Sequence, residues 1–180
     1  MIEIRIHGRG GQGNVAAAEL LSIAAFKDGK FAQAFPSFGA ERVGAPVQAF
    51  VRIDDKKIRT REDVLHPDYL IVQDYSLVEN VPILDGLKPD GLLLVNSDKS
   101  PEELNLKTTA TVETISATEI AIEIIGRPIP NAIMIGAFCS ITGLVSLEAV
   151  QEAIMARFPG IVGENNVAAL ERAHEIMQKR

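Results

Sequence analysis

Ile2-Glu3-Ile4-Arg5-Ile6-His7-Gly8-Arg9-Gly10-Gly11-Gln12-Gly13-Asn14 is the stretch that decides the fold. Its apolar run Ile2–Ile6 reads as a strand that leads into His7, and the glycines at 8, 10 and 13 fit G-x-G-x-x-G. An alanine-rich helical pattern follows from Asn14 to about Lys27. Strand, glycine turn and helix start form the opening of a β–α unit. Missing side chains let such a turn bend sharply and approach a ligand, and the free N–H groups at the helix start favour an anion.

Working outward, Gly29 is a natural stop for this helix, and Phe31–Phe35 reads as a second strand closed by Pro36. Ser37–Pro46 is a loop carrying Gly39, Gly44, Glu41 and Arg42. Val47–Ile53 alternates, with Val47, Ala49, Val51 and Ile53 on one side and Gln48, Phe50 and Arg52 on the other, which predicts a half-buried strand. Asp54-Asp55 turns toward Lys56–Arg59, expected to pair back as a hairpin at the sheet edge. Tyr69–Gln73 and Gly91–Val95 look like central strands covered on both faces. Ser76–Leu87 between them reads as a helix interrupted at Pro82. Thr109–Ile115 is β-rich, and Ser116-Ala117-Thr118-Glu119 fits a capping box for a helix that stops at Gly126-Arg127-Pro128. Asn131–Gly143, Ser146–Phe158 and Asn165–Gln178 complete a helical last third. The sum is an α/β fold: an open, mainly parallel twisted sheet of a Rossmann-like type, helices on both faces and a helical C-terminal third, in a single domain over residues 1–180.

The 180 residues are 47% hydrophobic, enough for a core of their own. The formal net charge of −6 argues against a nucleic-acid surface. One cysteine, Cys139, permits neither an intrachain disulfide nor an iron–sulfur cluster held by this chain alone. No signal peptide opens the sequence, and Ala132–Val145 is too short and too glycine-broken to span a bilayer, so a cytoplasmic protein with no membrane partner is expected.

Two loops are candidates for chemistry. The glycine turn offers backbone N–H groups flanked by Arg9 and Gln12, although its glycines also suit tight strand–helix packing alone. A dinucleotide site needs a carboxylate at the end of the second strand, and Phe35-Pro36-Ser37 supplies none. The Ser37–Pro46 loop sets Glu41 beside Arg42, either a fork for a phosphate or carboxylate or a plain surface ion pair. His7 ends its strand beside the turn and is read as packed or solvated. His66 and His174 are read as surface residues with no metal spacing, Cys139 as a small buried hydrophobe, and Asn131 as a helix cap. No catalytic residue and no metal ligand set is legible.

These residues carry a resemblance. Gly8-Arg9-Gly10-Gly11-Gln12-Gly13, the phrase Phe35-Pro36-Ser37-Phe38-Gly39-Ala40-Glu41-Arg42-Val43-Gly44-Ala45-Pro46 and Phe50-Val51-Arg52-Ile53 resemble the gamma subunits of 2-oxoacid:ferredoxin oxidoreductases, the pyruvate type most of all. Pro130-Asn131, Ile135-Gly136-Ala137 and Thr142-Gly143-Leu144-Val145 extend the likeness over nearly the whole chain. Val43 departs from it, since many relatives carry a second arginine there. The resemblance implies a complex that turns pyruvate, coenzyme A and oxidised ferredoxin into acetyl-CoA, carbon dioxide and reduced ferredoxin, reversibly. It places thiamine diphosphate and magnesium between alpha and beta subunits, [4Fe–4S] clusters in a delta subunit, and electrons on ferredoxin. This chain then holds no cofactor by itself. It docks on the catalytic subunits and shapes the coenzyme A side through Gly8, Arg9, Gly10, Gly11, Gln12, Gly13, Glu41 and Arg42, or uses both loops as protein contacts. The same role in a complex for a branched-chain 2-oxoacid, 2-oxoglutarate or an aryl pyruvate is the nearest alternative. A free-standing nucleotide-binding domain is a rival of another class. So is a pure assembly module docking through Ile133–Val145, a segment that a buried core helix explains equally well.

Overall fold

The structure, a computed structural model, describes residues 1–37 and 43–180. Glu41 and Arg42 lie outside the described residues. Six strands form one sheet: β1 (Ile2–Arg9), β2 (Phe31–Pro36), β3 (Pro46–Asp54), β4 (Tyr69–Val72), β5 (Leu92–Asn96) and β6 (Thr111–Ile115). Their order is β2-β3-β1-β4-β5-β6. The pairs β1–β4, β4–β5 and β5–β6 are parallel, while β3 lies antiparallel to both β1 and β2. The sheet is therefore mixed but mostly parallel, with β3 alone reversed. The strand beside β1 is β3 and not β2: Gly8 pairs with Val47 and Arg9 with Pro46. Where a dinucleotide fold presents its ribose-binding carboxylate, this chain presents the start of β3.

Seven helices accompany the sheet among the described residues: α1 (Asn14–Lys27), α2 (Leu77–Asn80), α3 (Pro101–Leu104), α4 (Ala117–Ile125), α5 (Asn131–Thr142), α6 (Leu147–Arg157) and α7 (Ile161–Gln178). One face of the sheet, including Ile4, Ile6, Val51, Ile71 and Leu94, packs under α1, α4, α5, α6 and α7 in the main core. The other face, with Leu70, Val72, Leu93 and Val95, is covered by Leu77, Ile83 and Leu104 in a smaller cluster. The helix Ile133–Val145 is no docking face. Residues 131–139 of α5 are all buried, because this helix is the centre of the main core.

That burial explains Gly136. A Cβ there would stand 2.2 Å from the carbonyl oxygen of Leu170, so α5 and α7 meet almost backbone to backbone. Gly136→Ala is expected to lower stability by about 1–3 kcal/mol through overpacking, read as a lower denaturation midpoint with an unchanged slope.

Four local expectations are corrected. Lys56–Arg59 forms no strand: β3 is flanked by β2 and β1 and has no free edge to offer. The chain runs instead across the second face, where Val64 is buried. The strand β3 is buried on both sides from Ala49 to Ile53 rather than half-buried. Phe50 lies against Phe35, and Arg52 pairs with Glu3 at 2.8 Å and stacks over the Phe35 ring. The helix expected over Ser76–Leu87 keeps only Leu77–Asn80, since Val81 before Pro82 takes an extended conformation. The capping box forms at Ser100/Glu103, at the start of α3, and not at Ser116. At α4 the work is done from a distance, by Asn96 Oδ1 accepting the Thr118 N–H.

Candidate functional site

At the carboxyl ends of β1, β4, β5 and β6 the chain leaves a crevice of about 740 Å³. Gly10, Gly11 and Gln12 line it after β1, Gln73–Ser76 after β4, Asn96–Asp98 after β5, and Ser116, Thr118 and Glu119 after β6. The connection from β1 proceeds to one side of the sheet and that from β4 to the other, which makes this the place where ligands bind in open α/β sheets.

The glycine turn takes the geometry its sequence requires. Gly11 and Gly13 have φ of 96° and 79°, a region that costs other residues. A Cβ on Gly13 would also meet Asn131 Nδ2 at 2.6 Å. Gly8 is open on top so that the Asn14 carboxamide can lie over it, and Asn14 Nδ2 reaches back to the Arg9 carbonyl at 3.1 Å. Asn131 is the first residue of α5 rather than its cap: Pro130 precedes the helix, and Asn131 is held against the glycine turn.

Several donors of the turn are already engaged. The Gly10 N–H donates to Ala45 O at 2.9 Å, the Gln12 N–H to Arg9 O at 3.1 Å, and the Gly44 N–H returns to Gly10 O at 3.1 Å. These bonds, with the bridge Gly10–Val43, bring the end of the Ser37–Pro46 loop onto the glycine turn. Arg9 is committed as well. Its Nε lies 3.2 Å from Asp74 Oδ2, and its Nη groups donate to Gly44 O and Ser76 Oγ. Gln12 donates to the same Asp74 oxygen at 2.9 Å while accepting from the Arg9 N–H at 2.7 Å. No side chain caps α1, so the N–H groups of its first turn have no side-chain acceptor at the cap, and Gly10, Gly11 and Gln12 just before it line the crevice.

Asp74 is the residue on which this corner turns. Burial pulls its pKa upward, but the Ser76 hydroxyl, the Gln12 amide, the Ser76 N–H and the Arg9 charge outweigh burial and leave it lowered. The ionised form is the one the fold binds. Its contribution is present at neutral pH and is lost as acid carries the solution down through the folded pKa. Asp74→Ala is expected to cost about 1–2 kcal/mol and to speed amide exchange at residues 10–13, because Arg9 and Gln12 lose their shared acceptor.

Other sequence candidates resolve differently. His7 is buried and takes a hydrogen bond from Arg5 Nε at 3.0 Å on the face away from α1. His66 is exposed and His174 half-buried. Cys139 is buried in α5, and desolvation, helped by Asp28, pushes its thiol up to about 12. Among the described residues no group of three or more His, Cys, Asp or Glu is placed to hold a metal ion, and no helix is long and apolar enough to cross a membrane. Gln73, Asp74, Asn96 and Thr118 escaped the sequence reading. Their signal was faint: each polar residue terminates or follows an apolar strand, at the edge where α/β sheets bind.

Comparison with known proteins agrees with this geometry. The family model described as pyruvate ferredoxin/flavodoxin oxidoreductase matches residues 3–176. A Methanocaldococcus jannaschii protein named pyruvate synthase subunit PorC is 54% identical over 180 residues, covering 100% of this chain and 99% of the relative. A Thermococcus kodakarensis protein named pyruvate/ketoisovalerate oxidoreductases common subunit gamma is 52% identical, covering 96% and 95%. The crystal structure of the pyruvate oxidoreductase subunit PORC of Thermotoga maritima superposes with a TM-score of 0.86 at 43% identity, covering 97% of this chain and 95% of that one. Fold, glycine turn and full-length similarity lead to one assignment: the chain belongs to the pyruvate ferredoxin/flavodoxin oxidoreductase family, as a gamma-type subunit.

Proposed function

We propose that this chain is the gamma subunit of a pyruvate:ferredoxin oxidoreductase and shapes the coenzyme A side of its site from the crevice edge. The carrying observation is the start of α1, left without a side-chain cap directly after Gly10, Gly11 and Gln12, which line the crevice. Such a terminus favours a phosphate or another anion. Arg9 fixes the turn rather than offering a free charge, because Asp74 holds it. Charge for an anion falls to Arg42, whose loop ends on the glycine turn at Gly44 and Ala45.

The chemistry belongs to partner alpha, beta and delta subunits. Thiamine diphosphate with magnesium there would supply the carbanion chemistry, and [4Fe–4S] clusters the electrons that pass to ferredoxin. This chain's residues position and enclose. A common gamma subunit named for both pyruvate and ketoisovalerate complexes, 52% identical to this chain, supports substrate selection in other subunits. A branched-chain 2-oxoacid is therefore the second reading.

Arg42→Ala in the assembled enzyme tests the coenzyme A role. The expected result is a KM for coenzyme A raised about tenfold or more with kcat nearly unchanged, as loss of a charge-assisted bond requires. An unchanged KM with weakened subunit association would overturn that role and make the loop a protein contact.

A further inference from the structure

We infer that the crevice also receives an extended, basic peptide loop of a partner subunit, read by the Gln73 carboxamide and by acidic residues at the mouth. The inference rests on the gamma-subunit reading and concerns the crevice wall after β4, β5 and β6 rather than the glycine turn.

The parallel pairings His7–Val72 and Val72–Val95 continue in register to Gly8, Gln73 and Asn96, which therefore share the sheet face toward α1. Gln73 lies in the middle of this row. It is 1% exposed and lines the crevice, and both its side-chain oxygen and its nitrogen lack a hydrogen-bond partner. Its neighbours are already satisfied in part: Asn96 Nδ2 donates to Gln73 O and to Thr118 Oγ1 at 2.9 and 2.7 Å. The Asn14 Oδ1 over Gly8 is buried and unpartnered too.

Buried amide groups left unpaired are costly, so their presence at the wall of an open crevice asks for a group that completes them. A carboxamide carries a donor and an acceptor side by side. A peptide group of an extended segment matches this pair with its C=O and N–H. Charge narrows the occupant further. Asp98 and Glu119 stand exposed at the mouth, and among the described residues no Lys or Arg lines the crevice. Asp74, the remaining acid of the lining, is already paired with Arg9. Asp98 and Glu119 thus offer carboxylates that attract a lysine or arginine of the occupant. The volume of about 740 Å³ is ample for a few residues of chain.

The test uses the whole oxidoreductase, reconstituted from this chain and its partner subunits. Two variants serve: the exposed charge reversal Asp98→Lys with Glu119→Lys, and Gln73→Met, which keeps size and removes both amide atoms. The charge-reversed chain is expected to keep its melting temperature yet associate about tenfold or more weakly at low salt, a deficit that shrinks at high salt. Gln73→Met is expected to weaken association without that salt dependence. Wild-type assembly is expected to slow hydrogen exchange at residues 73–76 and 96–98. Normal association of both variants, with exchange there as fast in the complex as in the free chain, overturns the inference and leaves the subunit reading intact. Slowed exchange produced by a nucleotide alone, such as ATP added to the free chain, with both variants assembling normally, overturns it in favour of a small-molecule site. Failure of the wild-type chain to assemble at all would instead remove the gamma-subunit reading.

Discussion

Replacing Arg5 by alanine is expected to destabilise the chain by about 3–5 kcal/mol, the range for breaking a buried charged network. Arg5 is 7% exposed and sits on β1 facing away from α1. Its Nη1 donates to Val64 O at 3.3 Å, and its Nη2 to Ile83 O at 2.9 Å and Asp85 O at 2.6 Å. These carbonyls belong to the two irregular segments that cover the second sheet face in place of long helices. Such segments cannot satisfy their own backbone groups, so one guanidinium ties them to the sheet. Desolvation lowers the Arg5 pKa, opposed by the charge of Asp85, yet an arginine remains protonated at neutral pH. Chemical denaturation of Arg5→Ala measures the loss. Arg5→Lys is expected to recover only part of it, because an ammonium does not reproduce the planar fork. A loss under 1 kcal/mol would show that the carbonyls find water instead.

The second large effect is acid sensitivity through His7. Burial, with the neighbouring Arg5 charge adding to it, drives the imidazole pKa from 6.5 to about 3. The folded state therefore holds His7 neutral, its Nε2 accepting from Arg5, while the unfolded chain takes up a proton near pH 6.5. The stabilising preference for the neutral form is fully present above that unfolded value. It declines by about 1.4 kcal/mol per pH unit as acid is added, until the folded pKa is reached. Unfolding free energies measured between pH 7 and 4.5 are expected to show this slope above that of the carboxylates. In His7→Gln the extra slope disappears, because glutamine offers Arg5 an acceptor that does not titrate. An identical slope in both chains would refute the assignment.

Much of the architecture was legible because it is local. Ile2–Ile6, the glycines at 8, 10 and 13, and the periodic runs behind α1, α5 and α6 each declare themselves within about a dozen residues. Features that depend on strand order are not encoded locally. Lys56–Arg59 reads as a hairpin arm, but β2 and β1 occupy both edges of β3. Phe50 and Arg52 alternate as a solvent face would, but Phe50 lies against Phe35 and Arg52 reaches Glu3 and the carbonyl of Asp63. Ser116 and Glu119 had capping-box spacing, yet Asn96, twenty residues earlier on another strand, caps that turn. The same reason hid the heart of the crevice. Gln73 and Asp74 become neighbours of Gly8 and Arg9 only once β4 lies beside β1, and no spacing along the chain encodes that adjacency. Arg9 was legible as a charge near the turn, but not as one already neutralised.

This chain works as a gamma subunit inside a 2-oxoacid oxidoreductase. Affinity purification of the chain from its own cells under anaerobic conditions tests it most directly, with assay of whatever accompanies it. Co-purifying larger subunits, thiamine diphosphate and iron–sulfur absorbance are expected, with ferredoxin reduction that needs both pyruvate and coenzyme A. A colourless chain that emerges alone, bearing a nucleotide and supporting no such reduction, would contradict it.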